Sequence, residues 1–289
     1  LGSAVWLKEK GEDFMVVEGC DSLPMNMQNG VHYLHSIPSL PFDAEIKKIT
    51  LTDGVLIEDE IVHKPTLKHA LEYSEKVREI QHPSSIMNIG KEDSVFMPKS
   101  NSMNELLERM YNYSGKENFE FGMWLKELDL ANKVAYFAKG EDKFEIKYEN
   151  LISTLPLDKF RPMLKNDYIN SLPLSCSSVY ISNYKVEKIV PNWMINIYIP
   201  DKDSPIYRAS ILNGICSVES MRELRESETW QARDLLSMFH LSDDPVEKFN
   251  WSTGKVISIS IDERNKLMEI VKKMDIYLVG RFACWDRKL

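Results

Sequence analysis

The chain has 289 residues and a mass of 33.5 kDa, the size of one large domain or two modest ones. It is 43% hydrophobic and 28% charged, which excludes a disordered, collagen-like or membrane-bundle chain, and it holds no apolar run long enough to span a bilayer as a helix. A formal charge of −8 gives it no general electrostatic pull on DNA or RNA.

Leu1 through Gly11 predict a helix, because apolar residues recur at helical spacing and Gly11 stands where a glycine ends one. Phe14-Met15-Val16-Val17-Glu18 predicts a short buried strand with an acid at its tip. After a loop holding Asn29-Gly30, residues 45–62 predict a hairpin turning at Asp53-Gly54. Residues 66–80 predict a helix with Leu67, Ala70, Leu71, Ser74 and Val77 on one face. Residues 102–113 predict another, capped at Asn101 or Ser102. A second hairpin is predicted over 132–148 about Lys139-Gly140, followed by a short strand at Leu151-Ile152-Ser153-Thr154. Residues 177–184, 192–199 and 206–212 predict strands of an antiparallel sheet, and 219–239 a long helix. Strand 256–260, helix 262–273 and strand 276–279 close the chain. The expected class is α/β with a substantial antiparallel sheet, divided into interleaved domains.

Cys20, Cys176, Cys216 and Cys284 form no C-x-x-C pair, and no basic-then-apolar leader opens the sequence. Free thiols and a cytoplasmic location are therefore expected. His63, His69, His82 and His240 fit no metal spacing, and no metal site is expected.

Four segments, taken in order, resemble FAD-dependent flavoproteins of the UDP-galactopyranose mutase and amine oxidase-like superfamily. Leu1, Ala4, Leu7, Gly11, Phe14, Val16 and Glu18 match in register the helix and strand that follow the glycine turn of the dinucleotide fold. Gly30-Val31-His32-Tyr33-Leu34-His35 resembles the family's glycine-x-His motif. Leu151 through Asp158 resembles the strand that returns to the dinucleotide domain. Val279-Gly280-Arg281-Phe282 resembles the late glycine-arginine motif. Weaker likenesses lie in Phe96-Met97-Pro98 with the helix after it, and in the stretch from Trp193 to Arg208.

The resemblance implies an FAD-binding Rossmann-like domain over 1–45, 95–160 and 255–289. An antiparallel-sheet substrate domain would occupy 46–94 and 161–254. It implies an FAD-dependent oxidoreductase acting on a small-molecule substrate, with no membrane or nucleic-acid partner. The alternatives are a UDP-sugar mutase-like flavoenzyme and a non-catalytic flavoprotein-like scaffold. Cofactor-binding residues carried over are Leu1, Glu18, Gly30, His32, Thr154, Gly280, Arg281 and Phe282; His32 and Arg208 are the catalytic candidates.

Glu18 would accept hydrogen bonds from the adenosine ribose. Arg281 fits either the FAD pyrophosphate or a surface ion pair. His32 fits a flavin-edge proton relay or a structural role, and His35 a structural one. Arg208 beside Tyr207 fits either an anionic substrate group or sheet packing.

The chain departs from the family in three places. Gly19-Cys20-Asp21 replaces the usual basic residue and glycine pair after the acid. Only about 60 residues separate the His motif from Phe96, where the mutases carry a larger helical domain, and this weighs against mutase chemistry. The glycine turn is not in the sequence. A longer native chain is expected, with a strand and turn before Leu1 and a helix after Leu289. The 289-residue piece alone is expected to be unstable and to bind FAD poorly.

Overall fold

The computed structural model describes residues 1–23, 33–77, 89, 93–187, 192–235, 237–242 and 244–286. The first elements are α1 (Gly2–Lys10), β1 (Val16–Glu18), β2 (Ile46–Ile57), β3 (Glu60–His63), α2 (Leu67–Val77), β4 (Ser94–Pro98) and α3 (Met103–Ser114). Next come β5 (Phe119–Phe121), β6 (Trp124–Asp129), β7 (Val134–Lys139), β8 (Asp142–Lys147) and β9 (Leu151–Ser153). Two short helices follow, α4 (Leu157–Phe160) and α5 (Asp167–Asn170), and then β10 (Ser175–Lys185), β11 (Trp193–Tyr198), β12 (Ile206–Leu212) and β13 (Ile215–Ser220). The last are α6 (Glu226–Leu235), β14 (Glu247–Ile257), α7 (Ile261–Lys272) and β15 (Ile276–Leu278). The protein is a mixed α/β structure with several sheets.

The chain forms two compact units. The first comprises Leu1–Pro24, Met110–Ser175 and Val256–Leu289; the second comprises Met25–Arg109 and Cys176–Lys255.

The first unit holds two parallel pairs and an antiparallel meander. β1 runs beside β5, with Glu18 opposite Phe121, and β9 beside β15, with Ser153 opposite Leu278. β6, β7 and β8 form the meander, turning at Lys139-Gly140 as its glycine predicts, with Gly140 at φ 60°. Gly11 ends α1 in the left-handed conformation at φ 71°, its N–H returning to the carbonyls of Leu7 and Lys8. α7 starts on a capping box, in which Ser260 accepts from the Glu263 N–H and the Glu263 carboxylate accepts from the Ser260 N–H. Leu157, Phe160, Leu164, Ile169, Leu267 and Trp285 fill the core between these elements. The indole N–H of Trp285 is satisfied by the Ser175 carbonyl at 3.2 Å.

The second unit is built on an eight-stranded sheet in the order β14-β10-β13-β12-β11-β2-β3, with β4 also on β2. β11 and β2 run parallel. One face is apolar: Leu56, Ile197, Ala209, Ile211, Cys216 and Val218 form a continuous core with Ala232 of α6. This cluster is the tertiary support that a short helix such as α6 requires.

Three expectations fail here. β2 runs straight through Asp53-Gly54, and the chain turns four residues later, at Glu58-Asp59, whose φ values are 48° and 66°. Both signs match the two-residue primed turn that suits strand twist. Asp53 remains in the strand by accepting from the Asn196 amide at 3.3 Å. Gly54 serves close approach rather than a turn: a Cβ there would meet the Ile61 methyl at 2.5 Å.

The expected helix over 219–239 is a strand followed by a shorter helix. β13 reaches Ser220 because Cys216 and Val218 face the core while Ser217 and Glu219 face the other way, a period of two. On α2 the buried face is Ala70, Tyr73, Lys76 and Val77, whereas Leu67 and Leu71 are 60% and 56% exposed. Tyr73 sets this rotation by packing edge-on against Tyr198, with ring centroids 5.2 Å apart.

Candidate functional site

In the first unit the expected site residues stand at the tips of parallel strands. Glu18 ends β1, half-buried, and its Oε1 accepts from the Cys20 N–H at 3.1 Å. The chain beyond it is tied to the turn after β5: the Gly122 N–H donates to the Cys20 carbonyl at 2.8 Å, and the Met123 N–H to the Glu18 carbonyl at 3.0 Å. Leu1 stands at the N-cap position of α1. Ala4 is buried, as a small residue must be for a helix to pack closely on its sheet.

Thr154, exposed, follows β9, and Val279-Gly280-Arg281 follows its parallel partner β15. The two tips are joined by hydrogen bonds: Val279 N–H to the Ser153 carbonyl, and Leu157 N–H to the Phe282 carbonyl, each 3.0 Å. Gly280 takes φ 90°, a conformation that favours glycine, with open space where a Cβ would sit. Arg281 is exposed, and its guanidinium makes no ion pair or hydrogen bond among the described residues. Phe282 packs on the core, and Asp286 anchors the segment by accepting from Arg264 and from the Ser258 hydroxyl. The structure thus brings Thr154, Gly280, Arg281 and Phe282 together. Gly30 and His32 lie outside the described residues. His35 is exposed and stacks edge-on against Tyr33.

The second unit presents a polar sheet face opposite its apolar one. Asn196 donates to Asp53 and accepts from the Ser210 hydroxyl at 2.8 Å; Ser217 donates to Asn183 at 2.6 Å, and Asn183 to Glu247 at 3.3 Å. This row crosses five neighbouring strands and β14, so buried polar atoms are matched from strand to strand.

One register step along lies Arg208. The register shifts between Ile206 and Arg208, so Tyr207 and Arg208 together oppose Glu219. Both donate to that carboxylate: the Tyr207 hydroxyl to Oε2 at 2.6 Å, Arg208 Nε to Oε1 at 3.0 Å, and Arg208 Nη2 to the same oxygen. Lys255 Nζ completes the shell 3.3 Å from Oε2 and lies 4.1 Å from the centre of the Tyr207 ring. Burial alone would raise the Glu219 carboxyl; Arg208, Lys255 and the Tyr207 hydrogen bond together hold it well below the usual range. Arg208 Nη1 keeps no partner among the described residues.

Sequence reasoning found Arg208 and missed Glu219 and Lys255. The alternation of Ile215-Cys216-Ser217-Val218-Glu219 carried the signal for Glu219; nothing local carried it for Lys255. A cavity of about 510 Å³ elsewhere in this unit, walled by Leu56, Ile199 and the carboxylates of Glu58, Glu72 and Glu75, contains none of the expected site residues.

No protein-family model matches the chain, and no curated protein matches it. Solved structures match its fold. The PF1083 protein from Pyrococcus furiosus is 12% identical over 96% of this chain and 88% of its own length, with a TM-score of 0.59. A cofactor-binding redesign of putrescine oxidase is 9% identical over 96% and 89%, with a TM-score of 0.55. Aklavinone-11 hydroxylase, solved as a ternary complex with FAD and aklavinone, is 10% identical over 97% of this chain, with a TM-score of 0.57. The chain spans about half of that protein, 54%. At these identities the likeness is one of fold. No helix among the described residues is long and apolar enough to cross a membrane.

Proposed function

We propose that the chain is an FAD-dependent oxidoreductase of the amine-oxidase-like class acting on a small organic substrate. The observation that carries this is Glu18, a carboxylate at the tip of a parallel strand directly after a closely packed helix, the position that receives an adenosine ribose in dinucleotide folds. The fold likeness to a hydroxylase solved with FAD supports it. A bound flavin would supply the hydride acceptor.

The residues of the first unit divide the binding. Glu18 takes ribose hydroxyls beside Leu1. The exposed Arg281 guanidinium, which has no ion pair among the described residues, matches a pyrophosphate in bidentate geometry. Thr154, Gly280 and Phe282 shape the backbone around it. Gly30 and His32 are assigned to the same cofactor, with His32 relaying a proton. In the sheet unit Arg208 is assigned to an anionic substrate group through Nη1, while Glu219 fixes the guanidinium plane. The first unit serves as the cofactor domain and the second as the substrate domain.

Glu18→Ala tests the assignment. FAD binding, measured by calorimetry, should weaken by about 2–3 kcal/mol through loss of a charge-assisted pair. Unchanged affinity would remove Glu18 from the site and the proposal with it.

A further inference from the structure

Trp124 is 59% exposed, the setting least expected of a large aromatic side chain. Its place is nevertheless well defined. It opens β6, paired with Ala138 of β7, in a segment stapled to the end of β1 by the backbone bonds from Gly122 and Met123. A Cβ on Gly19 would meet Cδ2, Cε2 and Cε3 of the indole at 3.1, 3.2 and 3.2 Å. Three bonded ring atoms at nearly equal distance put that Cβ position over the face of the indole. Glycine suits that contact; an alanine would make the ring give way by a few tenths of an ångström. One face of the indole is therefore turned toward Gly19, while more than half of the residue stays open to solvent. The residue before Gly19 is Glu18.

We infer that the open face of Trp124 is a stacking platform for the adenine ring of the dinucleotide. The inference rests on the assignment of Glu18 to the ribose. A ribose whose hydroxyls reach Glu18 carries its base on the adjacent carbon, next to the residue that supports the indole. A purine is flat and apolar on its faces, and it stacks on an exposed indole with little ordering of the protein, because the ring is already seated. The platform also answers the departure from the family pattern after the acid. Gly19-Cys20-Asp21 brings no cation toward the adenosine half; what Gly19 brings is room for Trp124. Asp21 sits under the same turn, its Oδ1 3.0 Å from where a Cβ on Gly122 would stand, and Gly122 at φ 72° keeps that turn tight.

The test uses the full native protein with FAD and with ADP, which carries the adenosine half alone. Affinities are read by calorimetry and by quenching of tryptophan fluorescence, and activity is not needed. Trp124→Ala should weaken both ligands by a similar factor, about tenfold, as loss of one base–aromatic stack does. Trp124→Phe keeps a ring and should stay within threefold of wild type while losing the quenching that ADP produces. A loss under threefold for Trp124→Ala, a loss confined to FAD, or full quenching in Trp124→Phe overturns the platform. Wild-type protein that binds neither FAD nor ADP overturns the dinucleotide assignment itself, and the platform with it. Wild-type protein that binds both, with Trp124→Ala unaffected, overturns the platform alone.

Discussion

Glu219→Ala is the sharpest probe of the sheet unit. The carboxylate accepts from four donors on three residues, two donors at each oxygen: Arg208 Nε and Nη2 at Oε1, Tyr207 Oη and Lys255 Nζ at Oε2. Those contacts fill its acceptor sites. Deleting it leaves two cations facing each other across an empty site, with side chains only 29% and 12% exposed. Breaking a buried pair by removing one partner costs about 3–5 kcal/mol. The stranded Tyr207 hydroxyl would add about 1–3 kcal/mol if no water reached it. Water can enter beside Arg208, so the expected loss is about 4 kcal/mol, read from urea melts. Tyr207→Phe, which removes one donor and strands nothing charged, should cost about 1 kcal/mol. The carboxyl titrates lower in the folded chain than in the unfolded one, so its contribution is complete above about pH 4.3 and fades as pH falls toward the folded value. The stability gap between wild type and Glu219→Gln should therefore hold steady from pH 7 to 5 and narrow below about pH 4. A cost under 1 kcal/mol for Glu219→Ala, or a gap that stays constant down to pH 3, refutes the account.

Two further outcomes are expected. Gly54→Ala should destabilise by about 1–3 kcal/mol, because its Cβ would overlap the branched Ile61 side chain; in an Ile61→Ala background the penalty should shrink, which a double-mutant cycle of thermal melts will show. Lys76 donates to the Ile199 and Ile206 carbonyls, and burial, against the pull of Asp201, lowers it to about 8. Between that pH and the unfolded value the unfolded chain binds more protons, so stability rises with pH there; Lys76→Met should flatten this rise, and equal slopes for the two proteins would disprove it.

Local chemistry was legible wherever a residue's role is decided within a few neighbours. Gly11 ends α1, Gly140 turns the meander, and short apolar runs mark β7, β9 and β15. The order acid-at-strand-tip, returning strand and glycine-arginine segment could be written down from the sequence. So could the separate candidates Glu18, Thr154 and Arg281. The sequence could not show that Thr154 and Gly280 stand at adjoining tips: that follows from the parallel pairing of β9 with β15 across more than a hundred residues, and pairing of that range is decided by global packing.

Asp53-Gly54 shows the same limit from the other side. By itself the dipeptide is a turn signal, because both residues tolerate the needed backbone angles. Neighbouring strands overruled it, Asn196 holding Asp53 in the ladder and Ile61 occupying the space above Gly54. The bulge that aims Tyr207 and Arg208 at one carboxylate, and the approach of Gly19 to the face of the Trp124 indole, also leave no mark in the sequence. Composition and periodicity mark many of the elements, but the strand that reaches Ser220 and the face that α2 buries were settled by packing. Only the tertiary structure decides which polar side chains meet, because burial makes each find a partner and the partner lies far away in the chain.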